Sequence, residues 1–310
     1  MNFPAVCDAM LDSTGKERQK YVATWRPDVA LIRRGIHLDT HGADDGAAVF
    51  RRLAEAAQAG EDAGFDAISV PDHIYDPGGP ALPMFEAYTV LGALAAVTSS
   101  ATLLTLASPV TFRTPGLLAK AVTSLDVVSG GRAVLSVGVG WDAAEHEAYG
   151  IEFPAVGERF DRLEEELAIC RALFRDEQAT FAGKFYTVRD AYSSPRPVRG
   201  SIPVLVAGNG EKRTLDLAAR YADACNVFGG PAEVRRKFDV LDRHCERAGR
   251  DPAEITRTVA EFDARDLGDL ASSARAMAAA GADGMVVACS DDPVRIAAIG
   301  QVLGEYFAGR

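Results

Sequence analysis

The sequence lacks every cysteine pattern that commonly marks a metal centre or a redox-active pair. Its five cysteines and five histidines are scattered, with no CxxC pair and no Cys/His grouping at zinc-ligand spacing. We therefore predict that the protein has no metal site. The cysteines are interpreted as buried thiols in a reducing compartment.

An apolar run long enough to cross a membrane is also missing. The most apolar region, residues 91–110, is interrupted by serine and threonine residues and ended by Pro109, unlike a membrane span. The first 25 residues carry charged side chains throughout, so they lack the apolar core of a secretion signal. These absences predict a cytoplasmic protein that has no membrane partner.

Excess positive charge is absent as well, since the formal net charge of the 310 residues is −11 at pH 7. A field of this sign repels nucleic acid and anionic lipid surfaces, and we predict no nucleic-acid partner. What is present is the composition of a globular protein, with 48% hydrophobic and 25% charged residues. The chain is long enough to bury one large core.

Short β-branched runs alternate with helical-period segments from about residue 31 onward, a pattern typical of a parallel sheet covered by helices. The candidate strands are residues 30–38, 67–70, 102–107, 133–137, 202–206, 224–228, 256–260 and 284–288. Eight strands are the number that a closed (β/α)8 barrel needs. We therefore predict an α/β fold of the TIM-barrel type.

Two segments depart from this alternation. Residues 176–200 are predicted to be an insertion that contains a β-hairpin at 181–188. Residues 1–29 are interpreted as an N-terminal extension without an assigned function, and residues 30–310 as a single barrel domain.

Ligands of α/β barrels bind at the carboxyl ends of the strands, so the residues after each apolar run are the candidates for ligand binding. Asp72 and His73 directly follow the second candidate strand. Histidine exchanges protons near neutral pH, and an adjacent carboxylate can fix its tautomer. A purely structural alternative stays open, in which Asp72 caps the turn and His73 packs.

Small residues follow the third and fourth strands. Ala107 and Ser108 would let a flat ring approach the backbone, although they equally suit an ordinary turn. Residues 138–143 formally match the GxGxxG/A dinucleotide pattern, but they follow the fourth strand rather than the first, which makes the match weak. The glycines would still present backbone N–H groups to a ligand, and Trp141 would line its ring.

A glycine-rich turn follows the fifth strand and leads into a helix. It comprises Ala207, Gly208, Asn209 and Gly210 and is followed by Lys212 and Arg213. Free N–H groups at a helix N-terminus and two cations favour an anion, and we predict a cofactor phosphate here. A turn with two solvated cations is the alternative.

Taken in order, these segments resemble the luciferase-like monooxygenase superfamily and especially its coenzyme F420-dependent oxidoreductases. The segments that carry the resemblance are residues 63–73, 83–88, 108–113, 125–132, 138–150 and 207–213. The resemblance implies a barrel with an insertion and a deazaflavin ring resting on the third strand. It also implies a non-proline cis peptide bond between Thr105 and Leu106.

The resemblance further assigns residues to the ring. Asp72 and His73 would face its reactive edge, while the other assigned residues would bind the cofactor: Thr105, Leu106, Ala107, Val139, Gly140, Trp141, Glu145, Ala207, Gly208, Asn209 and Gly210. Some deazaflavin enzymes have a glutamate where this chain has Trp141, which leaves His73 as the main candidate for moving a proton.

The expected activity is hydride transfer between coenzyme F420 and a small organic substrate. An FMN-dependent monooxygenase of the same fold and a non-catalytic barrel remain alternatives. A homodimer is compatible with the apolar helices predicted around residues 85–97 and 117–127.

Overall fold

The computed structural model describes residues 31–40, 46–76, 83–262, 266–289 and 292–307. The predicted N-terminal extension lies outside these ranges. The strands are β1 (Arg34–Leu38), β2 (Ala67–Val70), β3 (Thr102–Thr105), β4 (Ser108–Pro109), β5 (Leu135–Gly138), β6 (Gln178–Ala182), β7 (Thr187–Tyr192), β8 (Val204–Ala207), β9 (Ala224–Val227), β10 (Thr256–Glu261) and β11 (Gly284–Cys289). The α-helices are α1 (Gly46–Asp62), α2 (Ala87–Val97), α3 (Pro115–Ser129), α4 (Ala143–Ala148), α5 (Val156–Arg175), α6 (Thr214–Tyr221), α7 (Pro231–Ala248), α8 (Leu267–Ala279) and α9 (Pro293–Phe307).

One parallel sheet holds all strands except β6 and β7, in the order β3-β2-β1-β11-β10-β9-β8-β5-β4. It has nine strands because the predicted third strand divides in two: β3 pairs with β2, and β4 pairs with β5. A further parallel bridge joins Leu103 of β3 to Ala133, which precedes β5. The sheet therefore closes around eight strand positions, which confirms the predicted barrel.

The division of the third strand coincides with a cis peptide bond between Leu106 and Ala107. The prediction placed this bond between Thr105 and Leu106 and was wrong by one residue. The Leu106 N–H still donates to the carbonyl oxygen of Val70, so the ladder between β2 and β3 reaches Leu106, the residue directly before the cis bond. The backbone departs from β2 only after this hydrogen bond.

Side chains fill the centre of the barrel. The buried inner cluster consists of Ile32, Ala67, Leu104, Val134, Leu205, Ala224 and Val286. A larger apolar cluster lies between the sheet and its helices. Since both faces of the strands are buried, they read as nearly continuous apolar runs, and space for a ligand is left at the strand ends rather than in the centre.

The predicted insertion is an antiparallel hairpin of β6 and β7. Its strands extend beyond the expected 181–188 on both sides. The Glu165 carboxylate on α5 accepts hydrogen bonds from the backbone N–H groups of Lys184, Phe185 and Tyr186 in the connecting turn. This contact ties the hairpin to the barrel wall, on the outside of the molecule.

None of the helices in the described ranges combines the length and the apolar character that a membrane span requires.

Candidate active site

A cavity of 550 Å³ opens at the carboxyl ends of the strands. Its volume lies within the range of roughly 300–1,000 Å³ that is usual for small-molecule sites. Ten of the thirteen predicted site residues line it: Asp72, His73, Leu106, Ala107, Val139, Gly140, Trp141, Glu145, Ala207 and Gly208. Residues distant in the sequence thus meet where a barrel binds its ligand.

The other three predicted residues do not line the cavity. Thr105 is fully buried, and its hydroxyl contacts the Ser108 hydroxyl at 3.0 Å and the Ser136 carbonyl oxygen at 3.2 Å. The side-chain oxygen of Asn209 accepts a hydrogen bond from the Phe228 N–H. An added Cβ at Gly210 would approach the Thr214 hydroxyl to 2.6 Å. These residues support the wall from behind.

On the cavity side of the β2 end lies a group that we call the imidazole cluster, formed by His73, Glu145 and Trp141. His73 Nδ1 is 2.9 Å from Glu145 Oε2, and the indole of Trp141 meets the imidazole edge to face, with 5.4 Å between ring centroids. Trp141 is 68% exposed, whereas Glu145 is 1% exposed. The cluster therefore presents one imidazole between a buried carboxylate and an open aromatic wall.

Backbone donors fix the Glu145 carboxylate. Glu145 lies in the first turn of α4, whose N-terminus is capped by Asp142, and its Oε1 accepts from the Ile74 N–H at 2.5 Å. A carboxylate accepts hydrogen bonds, so His73 Nδ1 is the donor in the contact with Oε2. His73 Nε2 is then the ring nitrogen that remains for proton exchange with a ligand.

Behind β2 lies a second group, the guanidinium cluster, formed by Asp72, Arg113, Ser108, Tyr88 and Glu86. The two Asp72 oxygens accept from Arg113 Nη1 at 2.6 Å and Nη2 at 3.1 Å, and Ser108 Oγ donates to Asp72 at 2.5 Å. Burial disfavours the charged guanidinium, yet the Asp72 carboxylate holds the pKa of Arg113 above its usual value. Burial raises the pKa of the Tyr88 hydroxyl.

The carboxylate that contacts His73 is therefore not its sequence neighbour Asp72, as the sequence suggested, but Glu145. Consecutive side chains on extended backbone point in opposite directions. Asp72 is 4% exposed and its oxygens are engaged by Arg113 and Ser108, so it is held in place rather than paired with the imidazole.

The cavity also contains residues that the sequence did not single out as site residues, namely His146, Asn226, Phe228 and Phe262. His146 is 1% exposed, and its Nε2 lies 2.6 Å from the Thr111 hydroxyl. Phe228 and Phe262 directly follow β9 and β10, and their position after a strand was the available clue.

Among the described residues, His73, Asp142 and Glu145 bring one ligand atom each to within 4.8 Å of one another. Each side chain already has a protein partner: His73 pairs with Glu145, Glu145 with the Ile74 N–H, and Asp142 with the Ala144 N–H. The grouping is thus explained by its own hydrogen bonds, and the absence of a metal site stays a prediction.

The predicted anion site differs in detail from expectation. Helix α6 begins at Thr214, so the preceding residues form a turn. Arg213 donates to Asp161 Oδ1 at 2.5 Å and to the Gly157 carbonyl oxygen at 2.9 Å, while Lys212 is exposed. The cation that remains near the glycine-rich turn is therefore Lys212, and phosphate binding here stays a prediction.

The fold and cavity define an α/β barrel with a small-molecule site at its strand ends. Residues 32–264 match the family described as luciferase-like monooxygenase. The chain belongs to this family, which confirms the resemblance inferred from its motifs.

Curated relatives and solved structures agree with this assignment. The chain is 34% identical over 197 residues to an F420-dependent glucose-6-phosphate dehydrogenase of Microbacterium testaceum, covering 61% of this chain and 57% of the relative. An uncharacterised protein of Mycobacterium tuberculosis is 31% identical over 214 residues, covering 64% of this chain and 75% of that protein. The fold is similar to that of an F420-dependent secondary alcohol dehydrogenase, with a TM-score of 0.76, 18% identity, and coverage of 90% of this chain and 99% of the other.

Proposed function

We propose that the protein is a coenzyme F420-dependent oxidoreductase that transfers a hydride to or from a small organic substrate. The observation that carries the proposal is the imidazole cluster, in which a buried carboxylate orients a histidine inside the cavity. The relatives named for F420-dependent activity support the choice of coenzyme.

The cavity suits a flat heteroaromatic ring. The ring would lie against Leu106 and Ala107 and beside Val139 and Trp141, all of which line the cavity. An added Cβ at Gly138 would lie 3.3 Å from the Ala207 carbonyl oxygen, so glycine there lets two strand ends approach closely. When bound, the deazaflavin supplies the site that accepts or releases a hydride.

The protein's own residues would manage the proton. His73 Nε2 would accept the proton of a substrate hydroxyl during oxidation, or donate one to a carbonyl oxygen during reduction. Glu145 accepts the Nδ1 hydrogen and so fixes the orientation and tautomer of the imidazole. Asp72, fixed by Arg113, would act as a positioning residue at the same strand end.

The test is the variant His73→Ala, with His73→Gln as the matched variant that keeps a polar atom near Nε2. We expect turnover to fall by about 10²–10⁴-fold in His73→Ala, while coenzyme affinity, measured by ring fluorescence, changes by less than about threefold. Unchanged turnover would show that His73 takes no part in the proton transfer. A parallel loss of affinity and turnover would make it a binding residue instead.

An FMN-dependent monooxygenase is the second candidate, because the relatives of this chain include a protein named as a monooxygenase. The chain is 31% identical over 174 residues to the pyrimidine monooxygenase of Escherichia coli, covering 54% of this chain and 44% of that enzyme. Tighter binding of FMN than of coenzyme F420, together with oxygen consumption, would favour this candidate.

We also propose that two copies of the chain pair through α2 and α3. Leu117 and Val128 on α3 are 60% and 61% exposed, and both line a groove between the two helices. Exposed apolar residues along one helix face are typical of a protein interface. Light scattering after chromatography should show a dimer that Leu117→Glu converts to a monomer, with Val294→Glu as the control at another exposed apolar position.

The four described cysteines, Cys170, Cys225, Cys245 and Cys289, are buried and form no disulfide. This pattern fits a reducing compartment, and we propose a cytoplasmic location. A single domain over residues 30–310 likewise remains a proposal.

A further inference from the structure

His37 is a second histidine in the cavity that the proposed chemistry does not use. It lies at the end of β1, where only 6% of the residue is exposed, and it lines the cavity together with His73. Its ring packs edge to face against Phe262, with 5.5 Å between centroids.

The hydrogen bonds of Ser69 determine which nitrogen of His37 carries the proton. Ser69 Oγ lies 2.9 Å from His37 Nδ1 and 3.3 Å from the Ile36 carbonyl oxygen. The hydroxyl has one hydrogen, and a carbonyl oxygen can only accept. Both contacts are satisfied when Ser69 donates to Ile36 and His37 Nδ1–H donates to Ser69, which leaves Nε2 as a lone-pair acceptor.

The ring stays uncharged in this environment. Burial lowers the pKa of His37 from 6.5 to about 4, against an opposing effect of the Asp39 carboxylate and with a further lowering by His73. His37 therefore differs from His73, which is paired with a buried carboxylate. One cavity contains an imidazole suited to exchange protons and another suited only to accept a hydrogen bond.

These two roles cannot be filled by one substrate hydroxyl, which has a single hydrogen. During oxidation, the reacting C–O–H group loses a hydride from carbon to the coenzyme and its proton to His73, and a C=O bond forms. During reduction, the carbonyl carbon would take a hydride from the reduced coenzyme and the carbonyl oxygen would take the proton from His73. In either direction, a substrate can donate to His37 Nε2 only from a group other than the reacting hydroxyl.

The charges along the wall limit the substrate further. Of the described residues that line the cavity, the charged ones are Asp72, Asp142 and Glu145, and no lysine or arginine is among them. A phosphate or carboxylate near these groups would lose its hydration without gaining a cation. The wall therefore favours an uncharged molecule.

We infer that the substrate is an uncharged molecule with a hydroxyl or other hydrogen-bond donor next to the carbon–oxygen group that reacts, and that His37 recognises this donor through Nε2. The inference rests on the proposed function and makes His37 a specificity-determining residue. The sugar phosphate named for some relatives is not of this class.

The first test measures the tautomer of His37 by ¹H–¹⁵N correlation NMR on the full chain without coenzyme. The signal, assigned by its loss in His37→Gln, should show protonated Nδ1 and bare Nε2 at pH 7. In Ser69→Ala, which lacks the oxygen that fixes the tautomer, the population should shift toward protonated Nε2. A wild-type ring protonated on Nε2, or titrating near its ordinary pKa, would overturn the inference.

The second test measures the affinity of paired probes for the coenzyme-loaded protein by isothermal titration calorimetry, which applies equally to variants that lack the His37 signal. Hydroxyacetone should bind about 10-fold or more tightly than methoxyacetone, which lacks the donor. Dihydroxyacetone should likewise bind about 10-fold or more tightly than its phosphate. The hydroxyacetone preference should vanish in His37→Asn, which keeps the contact to Ser69, and persist in His37→Gln, which keeps an acceptor near Nε2.

Equal binding of either pair, a preference for the phosphate, or no response to hydroxyacetone would each overturn the inference. Failure of the proposed function would look different. In that case the protein would not bind coenzyme F420 at all, while the tautomer measured without coenzyme would be unaffected.

Discussion

Two neighbouring residues, Asp72 and His73, lie in opposite chemical environments. In the guanidinium cluster, a bidentate arginine and a serine hydroxyl engage Asp72, which lines the cavity but is only 4% exposed. In the imidazole cluster, His73 pairs with one carboxylate, and the His73 side chain is 17% exposed. Two adjacent residues can therefore provide a rigid support and a proton-exchanging group, because alternate side chains face opposite sides of the backbone.

The difference between the clusters should first appear in stability. Arg113→Ala leaves the Asp72 carboxylate buried without its partner, and we expect a loss of about 3–5 kcal/mol in the free energy of unfolding. The matched control is Arg162→Ala, whose partners Glu152 and Glu158 are 70% and 37% exposed and whose removal should cost about 1 kcal/mol or less. Denaturant unfolding measures both, and equal losses would contradict the distinction between the clusters.

On the cavity side, the largest effect should be on turnover. Glu145→Gln keeps an acceptor for the Ile74 N–H but weakens the hydrogen bond that orients the His73 ring. We expect kcat to fall by about 10²-fold or more with little change in coenzyme affinity. Glu147→Gln, on the exposed side of the same helix, should leave both quantities unchanged. A Glu145→Gln enzyme as fast as wild type would show that the carboxylate only caps the chain.

A third prediction concerns pH and separates His37 from both clusters. The pKa of His37 is lowered to about 4 from 6.5, so the unfolded chain binds this proton before the folded chain does. Stability therefore falls as pH drops from 6.5 to 4, by about 1.4 kcal/mol per pH unit from this group. His37→Gln cannot titrate, and its unfolding free energy should lack this contribution. Parallel pH profiles for the two proteins would contradict the prediction.

The smallest effect is expected at the rim of the cavity. Trp141 is 68% exposed, so Trp141→Ala should change the free energy of unfolding by about 0.5 kcal/mol or less. It removes the aromatic wall beside His73 and should weaken coenzyme binding by about 3- to 10-fold. Fluorescence titration checks this, and unchanged affinity would place Trp141 away from the ring.

The sequence was sufficient to predict the barrel and half of the residues that line the cavity. Strand ends are readable because buried parallel strands form apolar runs and because the residues after them share one end of the barrel. This reasoning found His73, Gly140 and Ala207 without structural information.

The direction of individual side chains could not be predicted from the sequence. Thr105 was assigned to the cofactor but points into the wall, and Glu145 proved to be the partner of His73. The cis bond was misplaced by one residue for the same reason. These features depend on where the ladder between β2 and β3 ends and on the contact between Glu145 of α4 and the segment after β2, which residue spacing alone does not specify.

The central claim is that the cavity holds a deazaflavin ring for hydride transfer. The most direct measurement is a fluorescence titration of the purified protein with coenzyme F420 and, separately, with FMN. We predict saturable binding of coenzyme F420 that is at least about 10-fold tighter than binding of FMN. A preference for FMN would contradict the claim in favour of a monooxygenase, and binding of neither ring would indicate a non-catalytic barrel.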